Sequence, residues 1–215
     1  MTTFNTTAYA SLVEVTPADW DTVHDLATCD FVDMVSGFVV SQIFTKAASP
    51  DYDTFSRSAV QFDTTGYTSA TASLHLDTVL RHNDTGNTHY ANVYSFTPDA
   101  IDTPDTDDFL HTKWSTTKLS DDWVLTTDGG STSHEFDLNA TGLAIVNGGG
   151  KFWLGIRIVK DASDNSDWLG NAKDVYIHID TDPASQVHLE TTAGKTINGI
   201  VTTVNEVEIT AFNGA

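Results

Sequence analysis

The chain has 215 residues, 40% of them hydrophobic and 10% aromatic, enough for one sizeable core and too apolar for a disordered polymer. Its 30 acidic residues against 10 basic ones leave a formal charge of −20. Such a surface repels nucleic-acid phosphates and anionic lipid headgroups, so it argues against nucleic-acid binding and membrane insertion and favours solubility, cation uptake or a saline habitat.

The first basic residue is Lys46, so the opening Met-Thr-Thr-Phe-Asn has no positively charged region of the secretory kind. The expectation is a chain made in the cytosol, without a signal peptide. Thr16-Pro17-Ala18-Asp19 offers an N-cap, a proline at the first helical position and an acid three residues on. That predicts a short helix to about Ala27; a loop carrying Trp20 is the alternative. Cys29 is the single cysteine, which rules out an intramolecular disulfide and a thiolate cluster. A small buried residue is the expectation for it.

Val35 to Phe44 is an apolar stretch suited to a strand. From residue 56 a period of two takes over. Ala59–Phe62 leads into a turn at Asp63-Thr64-Thr65-Gly66, and Ala72, Leu74 and Leu76 alternate with Ser73, His75 and Asp77. Further strands are predicted at Tyr90–Phe96, Phe152–Ile158, Val175–Ile179, Val187–Leu189 and within Ile200–Phe212. Phe152, Leu154, Ile156 and Ile158, then Val175, Ile177 and Ile179, are the inward candidates. Residues 98–122, with Pro98, Pro104 and many acids, read as a long acidic surface connection with a helical turn near Asp107–Lys113. Short strands separated by Gly, Asp, Asn and Thr predict an all-β sandwich over residues 1–194, in which the first 30 or so residues form an arm or short helix. An extra C-terminal hairpin or assembly arm follows over 195–215.

Two glycine–lysine pairs suggest phosphate loops, but G-x-x-x-x-G-K-[ST] is incomplete at both. Around Lys151 the upstream glycine position is Ile145 and the hydroxyl position is Phe152; around Lys195 the upstream position is Leu189. Gly148-Gly149-Gly150 is therefore expected to be a bend between two strands. Histidines 24, 75, 82, 89, 111, 134, 178 and 188 show no ligand spacing, and His134-Glu135 lacks the second histidine of H-E-x-x-H. His75, His178 and His188 fall on the polar phase of their strands and are expected to face solvent. No G-x-S-x-G elbow is present.

The loop carrying Asp161, Asp164, Asn165 and Asp167 has oxygen ligands at alternating positions, as calcium loops do. Ser166 stands where an EF-hand glycine would, so a solvated turn is the other reading. Trp123, Trp153 and Trp168 are candidates for contact with sugar rings. Trp153 lies in the opposite phase to Phe152 and Leu154, which points it outward; burial under the 98–122 connection explains it equally well.

These stretches resemble a known family. "SRSAVQFDTTGYTSATASLHLDTVL", residues 56–80, resembles the R-x-x-x-x-F-D-T-S, then S-A-x-L-x-L, signature of DNRLRE-like jelly-roll modules. "FDLNATGLAIVNGGGKFWLGIRIVKD", 136–161, is similar to their L-N-x-T-G stretch, glycine turn and G-x-R-x-x-x-D. "DWDTVHDLAT", 19–28, is similar to the W-x-x-x-H-D segment of the phage versions. The likeness covers about residues 15–190. The closing strand appears only loosely, as "ASQVHLETT", 184–192.

The resemblance implies a carbohydrate-binding-module-like jelly roll with Arg57, Asp63 and Arg157 as framework residues and no shared catalytic group. It further implies a virion protein of a tailed virus, such as a capsid decoration, head fibre or tail component. The expected partners are copies of itself and other virion proteins. The rival expectation is a glycan-binding adhesion module, with Ca2+ as its candidate cofactor; a glycan-cleaving enzyme is a third reading that no residue pair singles out.

Overall fold

A computed structural model describes residues 1–35, 37–126, 131–182 and 186–193, together with the backbone of 195–197 and 200–202. The fold is an all-β sandwich. In chain order it comprises β1 (Thr2–Asn5), β2 (Ala8–Glu14), α1 (Trp20–His24), β3 (Phe31–Asp33), β4 (Phe38–Thr45), β5 (Tyr52–Asp63), β6 (Ser69–Asn83) and β7 (His89–Phe96). Two 3-10 turns follow at Thr106–Phe109 and His111–Lys113. Then come β8 (Trp123–Leu125), β9 (Thr132–Asp137), α2 (Ala140–Asn147), β10 (Lys151–Ile158), α3 (Val159–Ala162), β11 (Asp174–Asp180) and β12 (Val187–Ala193).

The strand order is β1-β12-β6-β11-β4-β5-β10-β7-β8, with β2 also on β5, β3 on β2 and β9 on β6. Long strands make this possible. β5 pairs with β4 through its first half, with β10 through its second, and with β2 on its other edge. β6 does the same with β12, β11 and β9. The sheet curls until its last strand returns to the middle: Arg81 Nη1 on β6 donates to the Val124 carbonyl at 2.8 Å, and Asn83 Nδ2 to that of Leu125 at 3.3 Å. One continuous core fills the space between, with Leu74, Leu76, Ile156, Ile177 and Leu189 all fully buried. No helix among the described residues is long and apolar enough to cross a membrane.

Several expectations change in detail. The first helix begins at Trp20, capped by Asp19, whose Oδ1 accepts from Thr22 N at 2.8 Å. Thr16 does not cap it, because Ala18 is held extended by a two-way bridge to Tyr52. The 98–122 segment carries its turns as expected, yet it is a cover rather than a surface strap. Phe109, Trp114 and Leu119 are buried; Asp105 caps the first turn, and the fully buried Asp108 reaches back to accept from Asp105 N at 3.1 Å.

β10 is consequently buried on both faces. Leu154 and Ile156 point into the core, while Gly155 lies under Trp114, where a Cβ would stand 2.7 Å from Cζ3 of the ring. Trp114 also stacks on Phe96 with centroids 4.0 Å apart.

The glycine run does not join two strands. It ends α2, capped at its start by Asn139, whose side chain accepts from Thr141 N and Gly142 N. Gly149 and Gly150 sit at φ +71° and +87°, the left-handed region that closes helices at little cost only for glycine. Lys151 pairs with Asp102 at 2.5 Å. At the C-terminus, β13 (Lys195–Ile197) and β14 (Ile200–Thr202) pair as a hairpin. The strand expected to run on to Phe212 lies outside the described residues beyond Thr202.

Candidate functional site

The resemblance-bearing residues Arg57, Arg157 and Asp161 meet inside the protein. Arg57 on β5 is fully buried and Arg157 on β10 nearly so. Arg57 donates from Nη2 to Asp161 Oδ1 at 2.7 Å and to the His24 carbonyl at 3.0 Å, and from Nη1 to the Phe109 carbonyl. Arg157 Nε donates to Asp161 Oδ2 at 2.6 Å and its Nη1 to the Ser115 carbonyl at 3.2 Å.

The Arg57 guanidinium lies near the Phe55 and Phe109 rings, 5.2 and 4.6 Å from their centroids. Burial alone would raise the Asp161 carboxyl, but the Arg157 and Arg57 charges outweigh it and hold the group well below the ordinary carboxylate range. This knot ties α1, α3 and the 98–122 cover to the neighbouring strands β5 and β10. Asp63, the other framework candidate, shapes the β5–β6 turn by accepting from Thr65 N and Oγ1.

The calcium reading of Asp161, Asp164, Asn165 and Asp167 is corrected by this arrangement. Asp161 is committed to two arginines. The loop that follows α3 already encloses a cation of the protein's own. Lys160, 6% exposed, donates from Nζ to the carbonyls of Asn165 and Asp167 and lies 4.9 Å from the Trp20 ring. Asp164 turns away to accept from Trp20 Nε1 at 2.9 Å. Calcium takes 6–8 oxygen ligands, and here the convergent carbonyls hold an ammonium instead. Burial, opposed by Asp167, brings the Lys160 amine down to about 8.

The three tryptophans part company. Trp153 faces away from the core as its phase requires, but it is 1% exposed because the 98–122 cover lies on it and Ile101 O accepts from its Nε1 at 2.7 Å. Trp123 is buried against His134, with rings 4.1 Å apart. Neither offers a face to a sugar. Trp168 does: it is 37% exposed and rests edge-on against Tyr52. With Tyr90, Asn87, His89, Asn165 and Asp167 it lines an open cleft of ≈ 410 Å³. A flat apolar ring flanked by amide, carboxylate and imidazole groups suits a polyhydroxylated ligand. Burial lowers the His89 pKa, so its imidazole is the more readily kept neutral.

Sequence spacing missed the two places where histidines meet. His24 stacks on His111 beside Asp25, and His75 stacks on His188 across the β6–β12 pairing. The usable signal was pairing register, which brings together residues far apart in the chain. A scan against protein-family models and a search of curated proteins gave no match.

Proposed function

We propose that the chain is a non-catalytic structural protein of a tailed-virus particle, a jelly-roll sandwich that builds and attaches as a homo-oligomer with capsid or tail proteins. The observation that carries this reading is the fate of the residues that bear the sequence resemblance. Arg57, Arg157 and Asp161 satisfy one another inside the fold and fasten the cover to the sheet, the role that the resemblance implies for a framework. The strongly acidic exterior suits a surface held in the medium. Mass spectrometry of purified particles of the encoding virus tests it. The expected result is this chain in many copies per particle; its absence overturns the reading.

A second reading is favoured by one specific observation, the cleft bearing Trp168 and Tyr90, each more than a third exposed. In it the same sandwich binds host-surface glycans. On a glycan array, Trp168→Ala should abolish whatever binding the unaltered chain shows. Chelator should not, because Lys160 fills the loop. No binding by the unaltered chain removes this reading and leaves the first intact.

A further inference from the structure

On the outer face of the β12–β6–β9 region, pairing register sets His188 beside His75 and His75 beside Glu135. Glu190 stands two residues along β12 from His188 and therefore on the same face. The ligand atoms of His75, His188 and Glu190 all lie within 4.8 Å of one another. His75 Nε2 is 3.6 Å from Glu190 Oε2 and 3.4 Å from Glu135 Oε1, and His188 Nε2 is 3.7 Å from Glu190 Oε1.

Those separations are close to the edge of a tetrahedron around zinc, about 3.3 Å for bonds of about 2.0–2.1 Å. His75 Nε2 is itself shielded from solvent and makes no hydrogen bond, although two carboxylate oxygens stand 3.4 and 3.6 Å from it.

The charge on this face asks for a cation. Asp77, Glu135, Asp137 and Glu190 share it, while β1, β9 and β12 contain no Lys or Arg and β6 none before Arg81. Like charges on neighbouring strands repel. The other histidine group is a poorer host: both ring nitrogens of His24 already face acceptors, Asp25 Oδ1 at 2.6 Å and the Asp161 carbonyl at 3.0 Å.

We propose that His75, His188 and Glu190, with Glu135 as the fourth ligand, form a site for a zinc-class divalent cation that clamps β12 and β9 onto β6. Imidazole with carboxylate selects zinc and its transition-metal neighbours over calcium or magnesium. The two rings are parallel within 4°, so one turns about χ2, a broad torsion, for both lone pairs to reach the ion. This inference stands apart from the assembly role and survives if that role fails.

The test is a titration of the chelator-stripped full chain with cobalt(II), whose tetrahedral complexes absorb in the visible. The expected result is a band that saturates at one equivalent, is displaced by zinc and is untouched by calcium. Zinc should also raise the melting temperature by roughly 5–10 °C at a hundredfold excess over Kd. His75→Gln with His188→Gln should abolish the band, and His111→Gln should leave it unchanged. Glu190→Gln, a near-isosteric change on the surface, should weaken cobalt binding at least roughly tenfold. No band in the unaltered chain, a band that survives the double substitution or the Glu190 change, or one lost with His111→Gln overturns the proposal.

Discussion

The Arg57–Asp161–Arg157 knot and the His75–His188 face are both assembled by strands that meet far from one another in sequence, yet they treat charge in opposite ways. In the knot, one carboxylate receives two guanidiniums, and other Arg donors reach the carbonyls of His24, Phe109 and Ser115. On the face, acids outnumber bases, and His75 Nε2 stands 3.4–3.6 Å from carboxylate oxygens without a hydrogen bond. Burial forces the first outcome, since an uncompensated interior charge costs several kcal/mol. Partial exposure of the side chains permits the second. The inner cluster is thus committed to the fold, whereas the outer one is left with capacity for a ligand.

The largest effect should come from breaking the inner cluster. Arg57→Met strands part of the Asp161 charge and two backbone carbonyls, and should cost about 3–5 kcal/mol in urea denaturation. A loss under about 1 kcal/mol would mean that water enters and the knot is not a sealed interior. Next comes the cover that seals it. Gly155→Ala drives a methyl into the Trp114 ring and should cost about 1–3 kcal/mol. An unchanged midpoint would show that the cover rides loosely on β10.

A smaller and pH-dependent effect belongs to His134, on β9 against Trp123. Burial, helped by the Arg81 charge, lowers its pKa from 6.5 to about 4. Its folded value lies below its unfolded one, so the unfolded chain binds the proton more readily between those limits. Stability is full above 6.5 and falls as pH drops toward 4. Thermal unfolding across that window should show the decline, and His134→Gln should flatten it; an equal slope in the variant would assign the effect elsewhere.

Much of the sheet could be read from the sequence, because a buried strand writes its own period. β6, β10 and β11 lie where the alternation of Leu74–Leu76, Leu154–Ile158 and Val175–Ile179 placed them. What escaped depends on distant partners. α2 is poorly marked by propensity, carrying Thr141, Gly142, Ile145 and Val146, and Asn139 as its cap was the signal available. Gly142 suits it for a tertiary reason: a Cβ there would stand 3.2 Å from the Leu119 carbonyl of the cover.

The alternating phase of Trp153 was read correctly, yet the sequence does not announce that Ile101 lies over it. The oxygen pattern of 161–167 looked like a calcium loop because Lys160, Arg57 and Arg157 lie outside the pattern that defines one. His75 and His188 are 113 residues apart (188 − 75), and only the β6–β12 register unites them.

The contrast between a structural interior cluster and a spare exterior one can be put to one experiment, urea denaturation of chelator-treated Asp161→Asn beside the His75→Gln/His188→Gln double variant. The account predicts a loss of about 3–5 kcal/mol for the first and a midpoint within about 0.5 kcal/mol of the unaltered chain for the second. An Asp161→Asn protein as stable as the unaltered chain, or two variants destabilised alike, would contradict it.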